Sequence, residues 1–284
     1  MHEVFTLSPH HLVTRSPCHP LMLLALDIGN TNIVIGVFKG AHLVAQWRLS
    51  TRRECTSDEL AVFLQTAMNT RDLKFSEVDG VAVSSVVPSL TPQAVRLARD
   101  YFACEALVVG QKTDLGLIND YQPRGDVGAD RLVNGMAAWK KFQSAVLIAD
   151  LGTATTVDAV SRQGHYLGGA IAPGLQISTD ALFRAAARLP RVEIIAPQAA
   201  LGRTTVTSLQ SGIVWGYVGL VKELIARCLP EVEAANKGSE IAVVATGGLA
   251  ELIAPHVALI EHIEPNLTLE GLRLAWQMSQ QARA

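Results

Sequence analysis

The chain has 284 residues, of which 49% are hydrophobic and 18% charged, and its formal net charge at pH 7 is −2. That length suits two domains of ordinary size. The near-neutral charge, without a Lys/Arg cluster, argues against a nucleic acid or an anionic membrane surface as the main partner. We therefore expect no nucleic acid and no membrane partner, and a small metabolite as ligand.

The cysteine spacing and the first 21 residues indicate in which cellular compartment the protein lies. Cys18, Cys55, Cys104 and Cys228 are far apart and form no CxxC pair, which is typical of a protein in a reducing environment. No apolar run reaches the roughly 18 residues of a membrane span. Residues 1–21 lack the basic start and apolar centre of a signal peptide, and we interpret them as a disordered tail. The sequence therefore predicts a cytoplasmic protein.

The regular pattern begins at residue 23. Apolar and β-branched runs, separated by a polar turn and then by Gly40, predict an antiparallel meander of three strands. A helix over 56–69 follows, with Ser57 as its expected cap. A strand at 81–87, a helix at 91–102 and a strand at 106–109 come next, and this order implies a parallel crossover.

The opening pattern returns in the second half of the chain. DIGNTN, which begins at Asp27, has a counterpart in DLGTATT, which begins at Asp150, and each follows an apolar strand. The strand VAVSSVVP similarly has a counterpart in IAVVATGG, after the second meander. The repeat predicts a duplicated chain, with domains at 22–141 and 142–284 and a cleft between them.

Both repeated turns have the composition of a phosphate site. Gly29 and Gly152 permit a tight turn that exposes N–H groups to an anion, and Asp27 and Asp150 supply carboxylates for a hydrated cation. A single copy could equally be an ordinary hairpin with a capped turn. Two matching copies favour a clamp for one polyphosphate. A further glycine pair, in ATGG, ends a strand where a nucleotide could approach the backbone.

The segment YQPRGDVGADRL offers groups for phosphoryl transfer. Asp130 is a candidate base and Arg131 a candidate contact for an acidic substrate, both at the start of a predicted helix. The alternative is that Asp130 only caps this helix and that Arg131 forms a surface ion pair. Neither GxxxxGK[ST] nor GxGxxG after a strand occurs, so P-loop and Rossmann nucleotide sites are unsupported.

Taken in order, the segments DIGNTN, GADR, DLGTATTVD, GGAIAPGL, QSG and TGG resemble those of the type III pantothenate kinases. The resemblance implies an α/β fold of two duplicated ribonuclease-H-like domains, of the actin, Hsp70 and acetate/sugar kinase type. It also implies transfer of the γ-phosphoryl of ATP to pantothenate, the first step of coenzyme A biosynthesis. The family further implies a homodimer with the substrate site near the subunit contact.

The same resemblance assigns roles to individual residues. Asp130 would accept the proton, Asp150 would bind a monovalent cation (K⁺ or NH₄⁺), and Asp27 could hold Mg²⁺ or another divalent cation through water. The implied ATP-binding residues are Asp27, Ile28, Gly29, Asn30, Thr31, Asn32, Ile33, Val34 and Thr153. The implied pantothenate-binding residues are Tyr121, Gly128, Ala129, Asp130, Arg131 and Thr205.

Two points leave alternatives open. Thr204 stands where the family commonly has Asn, which weakens the assignment of Thr205. A helix predicted from about residue 211 has Gly212, Gly216 and Gly219 on one face, where either a second subunit or the same subunit could pack. Two rival functions are a non-catalytic regulatory protein of the Bvg accessory factor type and an actin-like phosphate hydrolase.

Overall fold

The computed structural model describes residues 21–110, 112–186, 188–238 and 240–282. Residues 1–20 of the predicted tail, with Cys18, lie outside these ranges. The strands are β1 Met22–Ile28, β2 Asn32–Lys39, β3 His42–Ser50, β4 Val78–Ser85, β5 Ala106–Val108, β6 Ile118–Asn119, β7 Ala145–Leu151, β8 Ala154–Val160, β9 His165–Pro173, β10 Ile241–Thr246 and β11 His262–Ile263. The helices are α1 Ser57–Asn69, α2 Thr91–Phe102, α3 Ala129–Phe142, α4 Leu175–Ala185, α5 Thr205–Asn236, α6 Ala250–Ile253 and α7 Leu267–Gln281.

The strands form two sheets with the same plan. The first has the order β3-β2-β1-β4-β5, and the second has β11-β10-β7-β8-β9-β6. In each, an antiparallel meander is extended by a parallel strand beside its first strand, β4 beside β1 and β10 beside β7. The duplication predicted from the two Asp–Gly turns is therefore present in the order and direction of the strands.

Alternating side chains on the central strands divide the apolar interior into layers. On β1, Leu24 and Leu26 face the core shared with α1 and α2, whereas Leu23 and Ala25 belong to a core that lies between the sheets. On β7, Val146 and Ile148 belong to the same middle core. The other face of β7 packs against α5. The two halves thus share one apolar layer in addition to having one each.

Helices α3 and α7 form that middle layer. α3 comes before the predicted boundary at residue 141, yet it packs on β7 and β8 of the second sheet, and the short strand β6 pairs with β9. α7 ends the described chain but packs on β1, β2 and β4 of the first sheet. Each half therefore contributes one helix that packs on the other half's sheet. The division into 22–141 and 142–284 stays a prediction.

Helix α1 is capped by Thr56, so the expected cap at Ser57 is wrong. The side chain of Thr56 accepts the N–H of Glu59 at 3.2 Å, and Glu59 Oε2 accepts the N–H of Thr56 at 2.9 Å. This reciprocal capping box satisfies two donors that helix geometry leaves unpaired. Ser57 is the first helical residue.

Helix α5 starts at Thr205, earlier than the predicted start near residue 211. Thr204 supplies its cap: the side chain accepts the N–H of Thr207 at 3.2 Å. Asn and Thr both cap helices well, so Thr204 can replace the family's common Asn without loss of this helix start. Among the described residues, no helix combines the length and apolar character that crossing a bilayer requires.

The close crossing of α3 and α7 gives a stability prediction. A Cβ on Gly271 would lie 2.7 Å from the carbonyl oxygen of Val133, a backbone atom that cannot move freely. Gly271→Ala should lower the free energy of unfolding by roughly 1–3 kcal/mol, although alanine is the better helix former. Thermal unfolding measures this, with Gly110→Ala as control, since a Cβ there meets open space. Equal melting temperatures for the two variants would contradict the close crossing.

Candidate active site

The two Asp–Gly turns meet at one place. Asp27 lies near the end of β1, opposite Ser84 on the parallel strand β4, and Asp150 lies near the end of β7, opposite Thr246 on β10. Between the turns, the side chain of Thr153 donates a hydrogen bond to that of Thr31, with 2.8 Å between the two oxygens. Ligands of open α/β sheets bind beyond the carboxyl ends of parallel strands, and both halves present that end here.

Helix α3 brings a third carboxylate to the same place. Asp130 is in the first turn of α3, and one of its oxygens accepts the N–H of Arg131 at 2.8 Å. Gly128 is the N-cap residue and provides no side-chain cap. A Cβ on Gly128 would collide with the Asp130 carboxylate, so glycine is needed at this position to leave the carboxylate where it is.

Asn134 links α3 to the second turn. It lies four residues after Asp130, on the same helix face. Its amide donates to Asp150 Oδ2 at 3.0 Å, and its carbonyl oxygen accepts the hydroxyl of Thr268, on α7, at 2.8 Å. The sequence reasoning missed Asn134, although its spacing from Asp130 was a usable signal. The middle layer thus holds Asp150 directly.

Burial and neighbouring charges raise the pKa values of the three carboxylates. Burial, followed by the charges of Asp130 and Asp150, raises the pKa of Asp27 to about 8, against the opposing effect of a hydrogen bond from Ser84. Burial and the charge of Asp130 raise the pKa of Asp150 to about 7, with a further contribution from Asp158. Burial also raises the pKa of Asp130. Such a group of carboxylates is more easily ionised when a cation lies among them.

The glycines of the two turns shape them in a way that sequence reasoning did not anticipate. Their N–H groups were expected to face an anion. Instead, the N–H of Gly29 donates to Asn32 O at 3.0 Å, and that of Gly152 donates to Ala154 O at 3.1 Å. These bonds close each hairpin turn. Polar side chains on the turns, such as those of Thr31 and Thr153, are consequently the groups that face across the site.

A third glycine turn borders Asp150. Gly247 has a φ of +90°, and a Cβ there would lie 2.5 Å from Asp150 Oδ1 and 2.7 Å from the carbonyl carbon of Leu151. A Cβ on its neighbour Gly248 would lie 3.2 Å from the guanidinium of Arg48, which belongs to β3 of the first sheet. The ATGG segment therefore lies beside the second turn and reaches the other half. No feature of the sequence indicated that Arg48 lies at this site.

Arg131 forms a buried ion pair, not the surface pair considered as an alternative. Its Nε and Nη2 lie 2.9 and 2.6 Å from Asp158 Oδ1. The side chains of the two partners are 9% and 2% exposed. The guanidinium carbon lies 5.9 Å from the ring centre of Tyr121. Tyr121, Arg131 and Asp130 are thus brought together at the start of α3.

The remaining predicted residues differ in their positions. Ile28 and Ile33 are core residues, so only their backbone can serve a ligand. Val34 lies opposite Asp27 in the sheet, and the side chain of Asn30 is exposed. Thr205 is exposed at the start of α5. Within the described ranges, no hydrogen bond joins its side chain to Asp130, Arg131 or Tyr121.

The described residues contain no group of three or more His, Cys, Asp or Glu side chains arranged to hold a metal ion. A cation near Asp27 or Asp150 would therefore need further ligands from a nucleotide, from the backbone or from water. That requirement agrees with the habit of Mg²⁺, which usually keeps several waters and binds substrate phosphates.

A family model described as type III pantothenate kinase matches residues 23–227. The chain belongs to the type III pantothenate kinase family. It is 47% identical, over 260 residues, to the type III pantothenate kinase of Geobacter sulfurreducens, which covers 92% of this chain and 100% of that protein. It is 44% identical to the one from Moorella thermoacetica, over 90% of this chain and 99% of that protein.

Solved structures agree with the fold expected of a type III pantothenate kinase. MreB 5 of Spiroplasma citri bound to AMPPNP has a TM-score of 0.54 at 11% identity, over 93% of this chain and 98% of that one. A Baf family protein from Campylobacter jejuni has a TM-score of 0.54 at 18% identity, over 91% and 99%. The duplicated, actin-like ribonuclease-H fold predicted from the sequence is thereby confirmed.

The buried carboxylates of this site give a prediction on the pH dependence of stability. Because the pKa of Asp27 rises from 3.8 to about 8 on folding, the folded state holds a proton that the unfolded state has lost between these pH values. Stability must then fall as pH rises through this window, on the order of 1 kcal/mol per pH unit. Asp27→Asn should therefore raise the melting temperature of the ligand-free protein at pH 8 and leave it unchanged near pH 4.

Thermal unfolding in a chelating buffer at several pH values measures the effect. Asp126→Asn serves as control, because Asp126 is exposed. If the difference in melting temperature between wild type and Asp27→Asn is the same at pH 4 and at pH 8, the pKa of Asp27 is not raised on folding.

Proposed function

We propose that this chain transfers the γ-phosphoryl of ATP to the primary hydroxyl of pantothenate, giving 4′-phosphopantothenate in the first step of coenzyme A biosynthesis. One observation carries the proposal: the turns of Asp27 and Asp150 meet, and the carboxylate of Asp130 lies close enough to both to affect their ionisation. Membership of the type III pantothenate kinase family supports the choice of substrate.

In this proposal the two turns hold the triphosphate, and Thr31 and Thr153 direct their hydroxyls to it. ATP must then replace the hydrogen bond that joins these threonines. Asp130 has one oxygen engaged by the N–H of Arg131, so its other oxygen receives the proton of the pantothenate hydroxyl. The protein acts chiefly by positioning and by stabilising charge, because phosphoryl transfer passes through a loose transition state.

The cations have a clear electrostatic role. Mg²⁺, or another divalent ion, would neutralise charge on the phosphates with Asp27 as a water-mediated contact, and K⁺ or NH₄⁺ would bind at Asp150. The raised pKa values of Asp27 and Asp150, caused by burial and mutual repulsion, support a requirement for positive charge at this site.

Tyr121, the Gly128, Ala129, Asp130 and Arg131 segment, and Thr205 line the pantothenate pocket in this proposal. The buried pairing of Arg131 with Asp158 leaves Arg131 less positive charge to offer an anionic substrate than a free guanidinium would have. Arg131 would therefore orient the substrate by hydrogen bonds from a fixed guanidinium as much as by its charge. We further propose that the enzyme is cytoplasmic, which the separated cysteines of the sequence support.

A homodimer is the second part of the proposal. A Cβ on Gly212, Gly216 or Gly219 would meet nothing within 4 Å, so these positions are not closely packed within the subunit. Gly212 and Gly216 line a mostly apolar groove of about 330 Å³ between α4 and α5. Thr205 lies on the same helix. A second subunit on this face would cover the groove and bring the predicted substrate contact to the subunit boundary.

Coupled detection of ADP, with and without pantothenate at fixed Mg²⁺ and K⁺, tests the function. A pantothenate kinase forms ADP only when pantothenate is present. A phosphate hydrolase would form ADP without it, and a regulatory protein that only binds nucleotide would form none in either case. Either of these last two results overturns the proposal.

Asp130→Asn should lower turnover by roughly 100-fold or more, the usual range for loss of a general base. The affinity for ATP should change by less than about 3-fold, because the phosphate turns are intact. Steady-state kinetics and calorimetric titration of ATP separate the two effects. Asp126→Asn, an exposed carboxylate in the preceding turn, is the matched control and should behave as wild type. Wild-type turnover in Asp130→Asn would refute the role of Asp130.

Light scattering of the purified protein measures the predicted dimer mass. Gly216→Gln places a side chain on the open face of α5 and should shift the population towards monomer, whereas Gly110→Gln, at another open position, should not. A monomeric wild type at micromolar concentration would contradict the dimer without affecting the proposed reaction.

A further inference from the structure

Asp158, on β8, is a buried carboxylate with an unusual number of donors. Its oxygens accept Nε and Nη2 of Arg131 at 2.9 and 2.6 Å, the hydroxyl of Tyr166 at 2.5 Å and the hydroxyl of Thr156 at 2.9 Å. These donors come from α3, β9 and β8 itself. A buried charge persists only when it is paired and hydrogen-bonded in this way.

Neighbouring backbone closes the space around Asp158. A Cβ on Gly169, the residue opposite Asp158 on β9, would collide with the carbonyl oxygen of Val157 and lie 2.7 Å from Asp158 Oδ1. The glycine lets β9 lie directly on the carboxylate. Asp158 is therefore held by its surroundings and has no room to change its position.

Arg131 connects this fixed carboxylate to the active site. Its guanidinium is bound by Asp158, while its backbone N–H donates to Asp130 Oδ1 at 2.8 Å. The first turn of α3 has no side-chain cap, because its N-cap residue is Gly128. The ion pair to Asp158 is consequently a strong contact that fixes this turn from within the second half.

We propose that Asp158 is a positioning residue for the reaction: it holds Arg131 from the second sheet and so fixes the carboxylate of Asp130 that receives the substrate's proton. Tyr166 and Thr156 keep Asp158 in place. The inference rests on the proposed kinase function, since it assigns no separate chemistry to Asp158. It assigns a role to the last residue of DLGTATTVD, which the sequence analysis left without one.

The electrostatics agree with this geometry. The charge of Asp158 is one of the causes, after burial, that raise the pKa of Asp130 and of Asp150, whereas the charge of Arg131 lowers the pKa of Asp130. The other titratable groups around Asp130 are Asp27 on β1 and Asp150 on β7. The pair of Arg131 and Asp158 thus adds little net charge next to Asp130, while it fixes the orientation of the Asp130 carboxylate.

Two variants test the proposal by separating kcat from KM. Asp158→Asn keeps the shape of the side chain but weakens its hold on Arg131, and kcat should fall roughly 10- to 100-fold, as expected for a displaced catalytic group. Tyr166→Phe removes one donor and leaves the ion pair, so kcat should fall only a few-fold. The KM for ATP should stay within about 2-fold in both, because the phosphate turns are unchanged.

Tyr101→Phe is the matched control, since the hydroxyl of Tyr101 also donates to an aspartate, Asp58, at 2.7 Å, but far along the first half. It should keep the wild-type kcat. Rates are expressed per ADP-binding site, measured by titration. A variant that is only partly folded then loses sites but keeps its kcat per site. Melting temperatures show whether each variant folds.

The outcomes distinguish this inference from the proposed function. If wild type shows no pantothenate-dependent ADP formation, the proposed function fails. If wild type is active and folded Asp158→Asn keeps kcat within 2-fold of it, the positioning role of Asp158 fails. If Asp158→Asn does not fold, Tyr166→Phe decides: a few-fold lower kcat with unchanged KM supports the role, and the wild-type kcat overturns it.

Discussion

The burial of Asp27, Asp130 and Asp150 at one place is the constraint around which this structure is organised. Burial first, and then the charge of neighbouring aspartates, raises the pKa of Asp27 to about 8 and that of Asp150 to about 7. Protein side chains relieve this only in part, through Asn134 at Asp150 and Ser84 at Asp27. In the proposed reaction, further relief would come from cations that arrive with the nucleotide. The charged aspartates that the reaction needs thus lower the stability of the ligand-free protein.

The middle apolar layer makes this crowding possible. α3 packs on the second sheet and α7 on the first, so the halves are joined by two crossing helices as well as by the turns. Three close approaches tighten the layer: α7 contacts β2 at Gly36, β4 at Gly80 and α3 at Gly271. A rigid layer of this kind fixes the ends of β1 and β7 relative to each other. The middle layer therefore holds the two Asp–Gly turns next to each other.

Much of this fold could be predicted from the sequence, because the signal was repeated. Two copies of an apolar strand ending in Asp and Gly specified the meanders, and α2 has the predicted limits Thr91–Phe102. The caps were harder. Thr56 and Ser57 are adjacent residues of similar chemistry, and only the reciprocal bond to Glu59 decides between them. The start of α5 at Thr205 was also missed, because a threonine such as Thr204 is common in loops as well as at helix caps.

The candidate site was predictable where residues lie in the repeated turns and less so elsewhere. Asn134 could have been found from its helical spacing to Asp130. Asp158 could not, because a carboxylate two residues before the end of β8 carries no sign in the sequence of the arginine on α3 that pairs with it. The packing of α3 on the second half was also hidden, since chain order places α3 with the first half.

That exchange of helices bears on how the site works. Asp130 belongs by sequence to the first half, but Arg131 ties it to Asp158 on β8, and Asn134 ties the same helix to Asp150 on β7. The candidate base and the candidate cation ligand therefore form one unit with the second sheet. Asp27 and its turn belong to the first sheet, and the hydrogen bond between Thr31 and Thr153 crosses between the units. An opening between the halves at the turns would separate Asp27 from the other two aspartates, whereas the contacts of Asn134 with Asp150 and of Arg131 with Asp158 lie within the second unit.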